Sequence, residues 1–324
     1  MPPLPDTDPA LLVPVHGTVR AMACDITVHG LSGDVRSARA AIDRALSVFS
    51  AVDATCTRFD PSSPLMQMNA RPDRWHHVPP LLSLAVEEAY RAYEWSRGRF
   101  DPRVLRDLVE LGYDRTLPFD TGGVVTTGRR RRRTAPGPWR PRFRGGVHPE
   151  VHLGGEPIDL GGIGKGLSVR WAAEALDRRL DAYLVDAGGD CACRGVGPEG
   201  DGWRIGVENP LAAAGPPLAV IEVRDRSVAT SSTRLRRWRS GREAVHHLLD
   251  PSTGRPGGHG LVAVTVIDDD PARAEVASKS LFLVGSAGVA DEARRRNLAA
   301  FWVDATGRAG ETPRFTPSVI WRAT

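Results

Sequence analysis

Cysteine is scarce in this chain, and no apolar run approaches the roughly 20 residues that a membrane helix needs. Four cysteines, Cys24, Cys56, Cys191 and Cys193, are too few and too scattered for a disulfide framework in 324 residues. Cys191 and Cys193 form a C-x-C with no second Cys or His pair at zinc spacing, which reads as buried structural thiols. The positive run that opens a signal peptide is missing too, since the start, MPPLPDTDPALL, carries acid. These absences predict a cytoplasmic protein without membrane contact.

Hydrophobic residues at 41% and charged residues at 25% describe a folded globular chain. Its length leaves room for two domains or one large one. The net charge of +4 is local: between Thr121 and His148 there are no acids and eight arginines, including the run Arg129 to Arg133. Without them the chain is mildly acidic. A block of like charge set among Gly and Pro repels itself, so residues 128–146 are expected to form a disordered insertion, with nucleic-acid binding unlikely because no aromatic-rich basic face accompanies the run.

Apolar residues at three- and four-residue spacing predict a helix from Val35 to Val52 and another through Leu82, Ala85, Val86, Ala89 and Tyr93, stopped by Gly98. After the arginine block, β-rich runs such as AYLVDAGG, PLAVIEVRD and GLVAVTVID alternate with glycine turns and two helices, Leu167 to Leu180 and about Pro271 to Val284. No repeat and no linker separates two halves, so one α+β domain over residues 1–324 is expected.

Three signatures fail. GVGPEG, at Gly195 to Gly200, satisfies G-x-G-x-x-G but leads into another strand and reads as a hairpin turn, whereas a dinucleotide fingerprint must open a helix. DLGGIGKG departs from a phosphate-binding P-loop at Asp159 and Gly166. His148 and His152 are split by Pro149 and read as loop residues instead of a zinc clasp.

Four segments at probable strand ends remain. Ile158 to Leu167 is a glycine-rich helix opening where backbone amides, the helix N-terminus and Lys165 favour an anion. Leu184 to Asp190 ends a strand in a glycine pair, and Val228 to Ser232 is a hydroxyl cluster of a kind that binds phosphate. In His247 to Pro256 a histidine precedes a tight turn. Read singly, each is better explained by a structural turn.

In their order, these segments resemble the ApbE-like FAD:protein FMN transferases. MACDITV at Met22, TRFDPSSPLMQMN ending at Asn69, and GRFDPRVLRDLVELGYD from Gly98 are similar to the family's earlier segments. IDLGGIGKG, LVDAGGD, VATSS, HLLDPSTGRP and EVASKSLFLVG follow in the family's sequence. The resemblance implies a single α+β, T-fold-related domain with mixed and antiparallel sheets and flanking helices. It also implies a reaction, transfer of FMN from FAD to a Ser or Thr hydroxyl of an acceptor flavoprotein bearing a D-x-x-[S/T]-G-A-[T/S] motif, with release of AMP. FAD hydrolysis to FMN and AMP is the alternative enzyme reading, and a non-catalytic flavin-binding protein the alternative outside enzymes.

Carried over residue by residue, the resemblance places FAD against Met22, Asp101, Asp159, Gly161, Gly162, Gly164, Lys165, Gly166, Gly188, Gly189, Asp190, Thr230, Ser231, Ser232 and His247. Its pyrophosphate is expected between Gly161 to Gly166 and Thr230 to Ser232. His247 is the candidate to take the acceptor's proton. The family's magnesium would meet Glu275 and the main-chain oxygen of Gly162. Lys279 stands where the family has a threonine ligand, and Glu275 where it has aspartate, so Lys279, with Glu275 as its salt-bridge partner, is expected to substitute in part for the metal and neutralise the pyrophosphate, with weak or no magnesium dependence. Ala23, Cys24, Leu167 and Arg170 are further departures.

Overall fold

The computed structural model describes residues 12–119, 123–127, 137–177, 179–212 and 215–323. Among these, eight antiparallel strands form the central sheet, in the order β1 (Val13–Ala21), β2 (Cys24–Ser32), β7 (Ala182–Ala187), β8 (Cys191–Arg194), β11 (Ser227–Ser232), β16 (Leu261–Asp268), β17 (Ala299–Asp304) and β18 (Ala309–Glu311). This mixed α+β architecture is the expected one.

Three helices cover one face of that sheet: α1 (Val35–Cys56) on β1 and β2, α5 (Gly164–Leu176) on β7 and β8, and α6 (Pro271–Val284) on β11 and β16. The predicted periodicity of α1 is real: Ala38, Ala41, Ile42, Ala45, Leu46, Phe49 and Val52 are all buried, and the Asp34 side chain caps the helix by accepting from the Ser37 amide at 3.1 Å. Helix α6 has the predicted bounds because Asp270 caps it and Pro271 occupies its first turn. Helix α5 begins three residues before the predicted start and ends at Leu176.

On the other face lies a sheet of β9 (Trp203–Val207), β10 (Ala219–Val223) and β19 (Val319–Arg322), whose Trp203, Ile221 and Val223 meet Val228, Ile267 and Phe301. Strands β8 and β9 therefore belong to different sheets. The turn at Gly195 to Gly200 crosses between sheets, and is not the hairpin expected.

The remaining elements surround the helical layer: α2 (Pro64–Asn69), α3 (Pro80–Ser96), α4 (Leu105–Glu110), α7 (Val289–Arg295), and small sheets of β4 (Val125–Thr126) with β12 (Arg237–Ser240) and β13 (Glu243–His246), of β14 (Leu249–Asp250) with β15 (Arg255–Pro256), and of β3 (Trp75–His77), β5 (Arg142–Arg144) and β6 (Glu150–His152). Helix α3 ends with Arg97 at φ 57° and Gly98 at φ 75°. His152 stands in strand β6 with Nε2 2.9 Å from the Asp73 carbonyl oxygen, so the segment is strand where a loop was expected. The thiols of Cys191 and Cys193 are free and buried, as read from the sequence, and burial pushes that of Cys193 up to about 12.

Arg129 to Arg133 lie outside the described residues. The second part of the expected disordered insertion is ordered, because it carries two aromatic residues that pack. Trp139 is 2% exposed, makes edge contacts with Tyr90 and Tyr93, and donates from Nε1 to the Leu153 carbonyl at 2.8 Å. Beyond it, β5 pairs with β6, and Arg144 lies 3.9 Å over the Trp75 ring. Removing residues 128–146 would thus remove a core anchor. We expect Trp139→Ala to cost ~3–5 kcal/mol in urea unfolding, which a surface residue could not do.

Candidate functional site

A cavity of about 500 Å³ opens where the helical layer meets the β1–β2 turn, and Met22, Asp101, Asp159, Gly161, Gly162, Gly164, Lys165, His247 and Lys279 line it. The remaining candidates, Gly166, Gly188, Gly189, Asp190, Thr230, Ser231, Ser232 and Glu275, stand outside its lining. Their partners separate their roles.

The glycine turn before α5 is held by two carboxylates and one backbone carbonyl. Gly161 N donates to Asp159 Oδ1 at 3.1 Å, Gly164 N to the Leu160 carbonyl at 2.8 Å, and Gly166 N to Glu275 Oε2 at 2.8 Å. These amides were expected to face a ligand, but the fold has already used them. Gly166 is small for a packing reason: a Cβ there would stand 2.7 Å from both Ala272 Cα and Pro271 O, so its absence lets α5 touch the start of α6. A Cβ on Gly164 would instead meet the flexible Met22 Cε at 3.3 Å.

The hydroxyl cluster is likewise occupied. Thr230 Oγ1 lies 2.9 Å from Thr265 Oγ1, Ser231 Oγ lies 2.7 Å from Ser278 Oγ, and Ser232 Oγ accepts from Arg234 N at 3.1 Å. These residues are not brought to the cavity, so the expected second wall for a pyrophosphate is not formed by them. Gly188 and Gly189 take φ of 65° and 92° to turn the chain from β7 to β8, which delivers Asp190 behind Lys165.

Lys165 and Lys279 reach the cavity with carboxylates behind them. Lys165 Nζ pairs with Asp190, and Lys279 Nζ lies 2.8 Å from Glu275 Oε1. Burial alone would lower the Lys165 ammonium, but Asp190 and Glu275 outweigh it and raise its pKa, so it stays charged. Burial would likewise raise Glu275, yet Lys279, Lys165 and the Gly166 amide hold its carboxyl below the usual range.

His247 faces the same space. Burial, then Arg236, then Lys279 push its pKa well below the ordinary 6.5, so the ring is neutral. Its Nδ1 is 3.3 Å from the Arg236 carbonyl oxygen, a placement that puts the proton on Nδ1 and leaves Nε2 with a lone pair.

Several motif residues act as scaffolding. Ser63 caps α2, Asn69 pairs with the backbone of Ile158 at 2.8 and 2.9 Å just before the glycine turn, and Asp101 holds Arg103 through two bonds of 3.0 and 2.6 Å. Met22 and Ala23 form the two-residue turn from β1 to β2 with φ of 52° and 60°, and Met22 N donates to Asp53 Oδ2 at 3.1 Å. Arg170 bridges Glu88 on α3 and the α6 cap Asp270 at 2.5 and 2.7 Å, so this departure knits three helices together.

Four arginines that line the cavity escaped the sequence reading, Arg20, Arg58, Arg99 and Arg236. Arg58 stacks between Phe59 and Tyr113, with 4.2 Å to each ring centre, and lies 3.7 Å from Asp159, while Arg236 stands beside His247. Arg58 was inside a quoted segment, but nothing in the sequence distinguishes it or Arg236 from 39 other arginines.

A cavity of this size, lined by two lysines and several arginines, has the size and the cationic lining that an anionic ligand requires. Comparison with known proteins supplies the family: this chain belongs to the ApbE family, which matches it over residues 21–302. An FAD:protein FMN transferase of Chlamydia trachomatis is 27% identical over 287 residues, 83% of each chain. Another, of Salmonella typhimurium, is 28% identical over 167 residues, and there the match spans 50% of this chain and 48% of the relative, about half its length. Among solved structures, the ApbE protein of Thermotoga maritima has a TM-score of 0.78 at 23% identity, covering 94% of this chain and 99% of its own. The flavinyl transferase ApbE of Pseudomonas stutzeri in its apo form gives 0.74 at 23% identity, covering 95% and 97%. These two likenesses are of fold.

The packing at Gly166 makes its methyl-bearing variant costly: Gly166→Ala should lose ~1–3 kcal/mol in urea unfolding, while Gly164→Ala should stay within about 0.5 kcal/mol of the parent. Acid should weaken the protein through two rings. His246 is held down to about 4, mainly by burial, and His247 lies well below 6.5. Below pH 6.5 the unfolded chain binds protons that the folded rings refuse, so stability falls as pH falls, by up to ~1.4 kcal/mol per pH unit for each ring. Urea midpoints taken at successive pH values measure this slope, and His246→Gln should flatten it.

Proposed function

We propose that this chain is an FAD:protein FMN transferase, moving FMN from FAD to a Ser or Thr hydroxyl of an acceptor flavoprotein. The observation that carries the reading is the convergence of Lys165, Lys279, Arg236 and a neutral His247 on one cavity in a chain of the ApbE family. The acceptor's hydroxyl oxygen attacks the phosphorus on the FMN side of the pyrophosphate. The bond from that phosphorus to the bridging oxygen breaks, AMP leaves with the bridging oxygen, and the hydroxyl proton passes to His247 Nε2. Charge that builds on the phosphoryl oxygens is met by the lysines and Arg236, which suits a reaction that depends on positioning and neutralisation.

Met22, Phe59 and Tyr113 supply apolar surface for the ring systems of FAD. Glu275, Asp190 and the turn at Gly188 and Gly189 position the two lysines from behind. Ser231 supports α6 through Ser278, and Thr230 is tied to Thr265 on β16, so these two hydroxyls are partnered within the fold. The cytoplasmic location and the D-x-x-[S/T]-G-A-[T/S] acceptor stay part of this reading. Of the segments that resemble the family, the one around Glu275 does not fit a magnesium ion. One oxygen of Glu275 accepts from the Gly166 amide and the other faces an ammonium, which cannot be a ligand.

The test is incubation with FAD and a protein carrying the acceptor motif. Flavin fluorescence that survives denaturing electrophoresis is the expected result. His247→Ala should slow labelling at least about a hundredfold while leaving FAD binding within a few-fold. Free FMN without labelled protein would make the chain a hydrolase, and no FMN in either form would end the reading.

A further inference from the structure

Lys165 and Lys279 are the only lysines in a chain with 43 lysine and arginine residues. Everywhere else the basic residue is arginine; at these two places it is the compact ammonium, a point charge without the planar fork of a guanidinium. Both line the cavity, and both side chains are 16% exposed. Behind Lys279, Glu275 is 1% exposed and has no spare oxygen facing the cavity, since Gly166 N and Lys279 Nζ take one each. The Gly166 amide cannot withdraw, because α5 and α6 are in backbone contact at that residue.

An i,i+4 Glu–Lys pair on a surface would need no explanation. This pair differs in having its carboxylate buried and its ammonium at the wall of a cavity. Beneath the Lys279 stem lies Gly162, whose added Cβ would stand 3.7 Å from Lys279 Cδ, so the lysine lies over the glycine turn. Arg236 lines the same wall. Lys165, Lys279 and Arg236 carry three positive charges on the cavity side, against the two carboxylates of Asp190 and Glu275 behind them.

We infer that this protein works without a divalent cation: the Lys279 ammonium, held by Glu275 and flanked by Lys165, stands in the place of the metal and neutralises the pyrophosphate of FAD. The inference rests on the transfer reading above for the identity of the ligand. It makes Lys279 a catalytic residue that touches substrate and Glu275 a positioning residue.

Magnesium is titrated by calorimetry into the protein alone, and FAD binding is followed by flavin fluorescence, once with a chelator and once with magnesium. Wild type, Lys279→Met and Lys279→Thr are compared, with thermal unfolding as the check on folding. Wild type should take up no magnesium and bind FAD equally in both conditions. Lys279→Met should lose about tenfold or more in FAD affinity in both, the cost of one charged hydrogen bond. Lys279→Thr should lose as much in chelator and recover when magnesium is added. Wild-type FAD binding that disappears in chelator and returns with magnesium would overturn the inference and leave the transfer reading standing, and this measurement requires no variant to fold. Lys279→Met with wild-type affinity would also overturn it. Absence of FAD binding in every condition would overturn both.

Discussion

The amide of Gly166 donates to the carboxylate of Glu275, and around this one bond the helical layer and the cavity are both arranged. It joins the first turn of α5 to α6 at a point where no Cβ intervenes. A carboxylate at a helix N-terminus is favoured by the helix dipole, and here the carboxylate comes from the neighbouring helix, so the electrostatic gain also serves as packing. Because Glu275 is fixed from one side by an amide, it can hold the Lys279 ammonium on the other. The buried charge is thereby compensated twice, which is the condition under which an interior carboxylate is tolerated.

The same layer accounts for departures from the family's segments. Arg170 ties α5 to α3 and to the cap of α6, and Leu167 is buried among Leu82, Phe100 and Val276. Neither side chain lines the cavity. Ala23 takes φ 60°, a conformation that costs an alanine roughly 1–2 kcal/mol and a glycine nothing, and the Met22 amide bond to Asp53 helps to hold the turn in place.

Helices whose apolar residues recur on one face were legible in the sequence, as α1 and α3 show, because periodicity and caps are local properties. The order of glycine-rich segments led to the family for the same reason. The cavity was legible only in part. Gly166, Thr230 and Ser231 look like ligand donors in one dimension, but their partners, Glu275, Thr265 and Ser278, come from distant strands and helices and bond them internally. Arg58 and Arg236 were invisible among many arginines, since only the fold selects which of them face inward. Residues 137–146 were misjudged because a run of charge outweighed Trp139 and Phe143, two aromatic side chains that pack into the same core cluster.

The scarcity of lysine gives the cavity a chemical address. Side-chain amines occur in this protein only at Lys165 and Lys279, so a reagent that acylates or forms imines with amines has no other side chain to modify. On most proteins the side-chain targets of such reagents are spread over the surface; on this one they are confined to the wall of a single cavity. An occupant of that cavity would shield both amines together, and amine reactivity becomes a direct gauge of whether the cavity is filled.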